Sequence, residues 1–167
     1  NGYKTHFIAE ASYLLTNFPK MGYDACNFDY NDIDMITDGF SKEEDITVPL
    51  EKFLQEDPDR SKFFFIEIFK PGHVSSSETQ TLGAQKEFEL YKENLRLSNE
   101  RLKKIISMIQ ESDPNGLILI MADHGGYVGY EHMLEIRDKT LDRERLYSAF
   151  STQLSIKWPN GEALEID

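Results

Sequence analysis

Cysteine is all but missing from this chain: Cys26 is the only one. No internal disulfide can form and no cysteine-built zinc site can be assembled. One cysteine leaves the compartment undecided. Basic residues are scarce beside acidic ones, 18 Lys and Arg against 30 Asp and Glu, for a formal net charge of −12. That imbalance argues against nucleic acid, which is bound through a basic face, and equally against docking on anionic lipid. No apolar run approaches the roughly 20 residues of a membrane helix. Missing too are the Gly-x-Ser-x-Gly elbow of a serine hydrolase, a phosphate loop and a dinucleotide fingerprint. Neither internal repeats nor low-complexity tracts are present. The first residues, Asn1-Gly2-Tyr3-Lys4-Thr5, contain no Met and no signal-peptide pattern. The expectation is a trimmed piece of a longer protein, whose targeting the missing signal does not report.

What is present suits a folded domain. At 167 residues the chain fits a single α/β domain with a real core, and 40% hydrophobic residues place it among globular rather than disordered chains. Thr5–Ala9 reads as a short strand, and Ser12–Phe18 as a short helix ending near Pro19. Met21–Phe28 can hold another strand. Asp29–Asp45 is acidic and irregular. Asp29, Asn31, Asp32 and Asp34 invite a calcium loop, but Ile33 takes the fifth position and Asp34 stands where the sixth-position glycine belongs, so a solvated acidic loop is the better reading. Thr47–Gln55 looks helical, with Pro49 tolerated in the first turn.

Phe63–Phe69 is a nearly continuous aromatic and β-branched run, the pattern of a central strand covered on both faces. Pro71-Gly72 breaks it and leads to His73. Tyr91, Leu95, Leu102, Ile105 and Ile109, with Ser98 in the same stripe, predict a long amphipathic helix from about 80 to 111. Ser77 and Gln80 have capping-box spacing. Asp113-Pro114-Asn115-Gly116 ends the helix, and an apolar strand over Leu117–Ala122 follows. Such a strand–helix–strand unit is expected to be parallel, which would bring the two strand ends, and hence His73 and Asp123-His124, to one sheet edge. A short helix near Leu141–Phe150 and a strand over Thr152–Trp158 complete the chain.

Asp123-His124-Gly125-Gly126, directly behind that apolar strand, is the most telling segment. Carboxylate and imidazole are both good ligands for divalent metals, and sites in open α/β sheets gather at the carboxyl ends of strands. Neighbours on a regular strand point to opposite faces. From a turn both can reach one ion, and Gly125-Gly126 supply backbone freedom. The plain alternative is that Asp123 caps a following helix while His124 packs in a loop. His73 after Pro-Gly reads on its own as an exposed loop residue. His132 can reach the site or open a surface helix, and His6, inside a strand, is better read as structural. Ser75-Ser76-Ser77 suit a loop and cap rather than a nucleophile.

Together these segments resemble the alkaline phosphatase superfamily, in particular the sulfatase-like branch with lipoteichoic acid synthases and phosphoglycerol transferases. The resemblance is carried by Gly2-Tyr3-Lys4-Thr5 before a strand, by Met21-Gly22-Tyr23-Asp24, and by Phe63–Phe69 with Pro71-Gly72-His73. Tyr91–Ile109 is similar to the family's long helix, though members often carry Asp where this chain has Asn99. Ile118–Gly125 is similar to its strand before Asp-His-Gly, and Leu154–Pro159 to a later strand.

The resemblance implies an α/β fold, a mostly parallel sheet flanked by helices, incomplete at the N-terminus. It implies cleavage or transfer of an anionic phosphate or sulfate ester beside one or two divalent ions (Mn, Zn, Mg or Ca). Asp123 and His124 would be metal ligands and His73 would face the substrate. In the family the first acidic ligand and the nucleophile precede the Gly-Tyr-Lys-Thr segment. These 167 residues alone are therefore expected to be inert or nearly so, within a parent that is extracytoplasmic or membrane-tethered. The competing reading is a non-catalytic acidic interaction module on the same fold.

Overall fold

The computed structural model describes residues 2–11, 22–28, 44–72, 82–130, 140 and 142–161. The fold is mixed α/β, with a small parallel sheet and helices, and the chain divides into two compact units, Asn1–Phe69 and Lys70–Asp167. The expected helix at 12–18, the acidic stretch 29–43 and the Ser77–Gln80 pair lie outside the described residues.

In the first unit β1 (Lys4–Ala9) is the middle strand of three, with β2 (Ala25–Cys26) on one side and β3 (Lys62–Glu67) on the other, all parallel. Its register with β3 runs from Lys4 opposite Lys62 to Ala9 opposite Glu67. His6, Phe7, Ile8 and Ala9 are all buried, as a central strand covered on two faces requires. Helix α1 (Thr47–Gln55) buries Thr47, Leu50 and Phe53 at one-turn spacing. Its start is held by Asp45, whose carboxylate accepts from the Thr47 amide at 3.0 Å and its hydroxyl at 2.7 Å.

On the α1 side of the sheet, His6 stacks on Phe64 with centroids 4.7 Å apart and tilts against Phe53 at 4.9 Å. On the other side Phe7 packs on Tyr23 and Phe65, beside Ala9 and Ala11. Phe63 and Phe65 keep 50% and 40% exposure. This strand, expected to be central and covered on both faces, is instead an edge of the sheet, and that face carries no helix among the described residues of the unit. β2 is only two residues long, and Asn27 extends it with a side chain. Its Oδ1 accepts from the Ala9 amide at 2.8 Å and its Nδ2 donates to the Ala9 carbonyl at 2.9 Å, so one side chain satisfies both backbone groups of Ala9 just past the end of β2.

The second unit is built on α2 (Ala84–Ser112), followed by β4 (Ile118–Met121), α3 (Arg143–Phe150) and β5 (Leu154–Lys157). The expected stripe on α2 is present: Ser98 and Ile105 are buried, Tyr91, Leu102 and Ile109 half-buried, and only Leu95 is turned out. Ser98 satisfies its hydroxyl on the carbonyl of Asn94, four residues back, at 2.9 Å.

Among the described residues the element order foretold from the sequence holds, but the single parallel sheet does not. β3 belongs to the three-stranded sheet, whereas β4 pairs antiparallel with β5 in a separate two-stranded one, Leu119 opposite Ile156 and Met121 opposite Leu154. The expectation failed because it placed both strands in one sheet from their order in the chain. An apolar strand does not name the neighbour that will satisfy its backbone, and a crossover helix does not force its two strands to pair.

Candidate functional site

Directly after the four residues of β4 the chain stops being a strand and makes no helix: 122–130 is extended and turn-like. The segment is tied to the end of α3 and the approach to β5. The Ala122 amide donates to the Gln153 carbonyl at 3.1 Å, Gly125 to Ala149 at 2.8 Å, and Tyr127 to Ser148 at 3.3 Å. α3 itself is fixed by Asp142, whose carboxylate accepts from the Arg145 amide at 2.8 Å.

Gly125 and Gly126 matter for a reason other than the one the sequence suggested. Neither has a left-handed φ; among the described glycines only 72, 83 and 129 do. What they provide is smallness. Both are buried, and a Cβ on Gly125 would run into the carbonyl of Ser148, 2.9 Å from its carbon and 3.2 Å from the Ser151 oxygen. A Cβ on Gly126 would meet the Tyr91 ring, 2.6 Å from Cδ2 and 2.8 Å from Cζ.

This close packing sets the two preceding side chains. Asp123 is 86% exposed and does not cap a helix; its Oδ1 accepts from the His124 amide at 2.9 Å. The imidazole of His124, one-third exposed, has Nδ1 at 2.8 Å from the Gly125 carbonyl and Nε2 at 3.3 Å from Asp123 Oδ2. A carbonyl oxygen only accepts, so a hydrogen bond here needs its proton on Nδ1; in the neutral ring the Nε2 lone pair then faces the carboxylate, two acceptors that a cation between them would reconcile. Metal-bound histidines are arranged this way, one nitrogen donating to a carbonyl or carboxylate and the other facing the ion.

Two ligands about 2.1 Å from one tetrahedral ion lie roughly 3.4 Å apart, so the Asp123–His124 spacing fits a shared divalent cation. The pair supplies two ligands of a set, and no group of three His, Cys, Asp or Glu able to hold a metal occurs among the described residues. His73 and His132 lie outside the described residues. His6, read as structural, is fully buried in β1.

Two residues that sequence reasoning passed over shape the site. Tyr127 adopts φ 55° and stands edge-on to His124, with centroids 5.1 Å apart and planes at 79°. Glu87, fully buried, accepts from the Leu82 amide at 3.0 Å and the Gly129 amide at 2.7 Å, joining the start of α2 to the loop behind His124. A glutamate in the first turn after Gly83 is a recognisable reach-back signal; nothing in the sequence marks Tyr127.

No helix among the described residues is long and apolar enough to cross a membrane. Comparison with protein-family models, with curated proteins and with solved structures finds no match for this chain.

Proposed function

We propose that Asp123 and His124 are two ligands of a divalent cation in a metal-dependent phospho- or sulfo-ester hydrolase or transferase of sulfatase-like type, on an alkaline phosphatase-like fold. The observation that carries this is the histidine geometry: Nδ1 lies 2.8 Å from the Gly125 carbonyl while Nε2 faces the Asp123 carboxylate at 3.3 Å, at the carboxyl end of β4. The Asp-His-Gly sequence behind an apolar strand supports the same class. A chain with a net charge of −12 has to offset its own repulsion of an anionic ester, and a bound cation does so locally.

Within this reading Asp123 and His124 hold the ion, and the Gly125 carbonyl keeps the imidazole in its ligating tautomer. The ion, when bound, neutralises ester oxygens and lowers the pKa of the attacking group. His73 is assigned to the substrate side by resemblance alone. The reading requires at least one further ligand and a nucleophile besides these residues, so the chain by itself is assigned binding rather than turnover.

Titration with manganese or zinc, followed by thermal melting, tests the assignment. The melting temperature should rise with metal in the wild type, and Asp123→Ala and His124→Ala should each remove most of the rise. A wild-type curve that metal leaves unmoved would sink the assignment and favour an acidic interaction module.

A further inference from the structure

We propose that Tyr127 is a positioning residue for His124, resting on the reading of His124 as a metal ligand. Its ring holds the imidazole where Nδ1 meets the Gly125 carbonyl and Nε2 meets Asp123. Tyr127 has φ 55°, in the left-handed region that glycine occupies freely and a tyrosine rarely does. Such a conformation persists only where its surroundings over-determine it.

Here they do. The Tyr127 amide donates to the Ser148 carbonyl at 3.3 Å. Its ring packs edge-on against Tyr130 with centroids 5.3 Å apart, and Tyr130 is fully buried with its hydroxyl donating to the Arg145 carbonyl at 2.7 Å. Gly129, at φ 84°, lets the chain turn between the two tyrosines. The outcome of this anchoring is an aromatic ring set at 79° to the His124 ring, with centroids 5.1 Å apart.

The consequence is rotational. Turning His124 about its side-chain bonds would part Nδ1 from Gly125 and Nε2 from Asp123 together. Tyr127 closes one side of that rotation, so the two donors stay presented at ligand spacing. Loss of the hydrogen-bonding partner of a ligand histidine costs about 10- to 100-fold in metal affinity, and Tyr127 keeps His124 on its partner, the Gly125 carbonyl. The phenol oxygen has no part in the argument; the ring does.

Long-range proton–nitrogen NMR of the His124 ring, at about pH 8 and above the ordinary imidazole range, reads the tautomer without any metal, and the visible absorption of added cobalt(II) reads affinity. The wild type should show Nδ1 protonated, and Tyr127→Phe should match it in both measurements. Tyr127→Gly, which suits the backbone and removes the ring, should mix the tautomers and weaken cobalt binding about tenfold or more. Tyr127→Leu, which keeps apolar bulk if the glycine variant folds poorly, should behave likewise. An unchanged tautomer and affinity in Tyr127→Gly, or in Tyr127→Leu, overturns the positioning role while leaving the metal reading intact. A wild type that shows the Nδ1 tautomer, loses it in Tyr127→Gly, and binds no cobalt overturns the metal reading and keeps the positioning role.

Discussion

Gly125 and Ser148 approach so closely that residue 125 has no room for a Cβ: one built there would collide with the Ser148 carbonyl, 2.9 Å from its carbon. The obstacle is backbone near the end of a helix, and it cannot swing aside. Gly125→Ala should therefore cost about 3 kcal/mol in urea or thermal unfolding and pull Asp123 and His124 out of register. Gly126→Ala faces the Tyr91 ring, a side chain, and should cost less. Truncating Tyr91 to Ala in the same chain should recover part of that cost in a double-mutant cycle. Equal costs for the two alanines, or no coupling between residues 91 and 126, would show that the close approach does not govern this segment.

Glu87 acts on the same loop from its other end. Both amides it serves lose their acceptor in Glu87→Ala, and a donor left unpaired away from water costs roughly 1–3 kcal/mol, the half-buried Gly129 amide more than the exposed Leu82 one. The variant should lose about 3 kcal/mol, and hydrogen exchange at Gly129 and Leu82 should accelerate more than in the rest of α2. Glu87→Gln keeps one accepting oxygen and should fall between wild type and alanine. Unchanged exchange at both amides in Glu87→Ala would refute the linkage.

How far these arrangements could be read from the sequence depends on how local they are. Thr47–Gln55 matched its predicted helix to the residue, because Asp45 and the Thr47-Leu50-Phe53 spacing are written within a few positions. The long helix, foreseen from about 80 to 111, runs Ala84–Ser112. The Asp-His turn was located because a strand's end and two metal-affine side chains are adjacent in sequence.

What escaped was set by distant partners. The separation of β3 and β4 into two sheets depends on which edges find each other, and the close packing of Gly125 on Ser148 joins segments far apart in the chain. Tyr127 was invisible for a further reason: its left-handed φ opposes its own residue preference, and only tertiary contacts impose it.

Asn27 substitutes for a strand in the first unit, and its removal tests whether that substitution matters. Ala9 is fully buried, so Asn27→Ala leaves its amide and carbonyl without their side-chain partner and should cost about 2–4 kcal/mol. Asn27→Asp should cost at least as much. It keeps the acceptor for the Ala9 amide but loses the donor to the Ala9 carbonyl, and it sets a second carboxylate where Asn27 Nδ2 now donates to Glu44 at 3.0 Å. If unfolding shows the aspartate variant to be more stable than the alanine, the donor half of the pairing is dispensable.

His6 gives the first unit a pH dependence distinct from that of its carboxylates. Fully buried between Phe53 and Phe64, its ring nitrogens make no hydrogen bond within the described residues. Burial lowers its pKa below the usual 6.5, Lys4 and Lys62 add to the effect, and Glu56 and the nearby Phe63 backbone oppose it. The unfolded chain therefore takes up this proton first as pH falls. Stability is complete above about 6.5 and declines below it toward the lower folded pKa, by at most about 1.4 kcal/mol per pH unit. The carboxylates act later: Thr5 holds Asp24, and Lys4 holds Asp57, below their usual 3.8, so their contribution is lost only in stronger acid. His6→Leu should flatten the decline between about pH 6.5 and 5 relative to wild type and leave the acid limb in place. NMR titration of the His6 ring in the wild type should give a midpoint below 6.5. A midpoint at or above that value, or the same slope in His6→Leu, would mean that the ring is reached by water or by a partner and carries no such linkage.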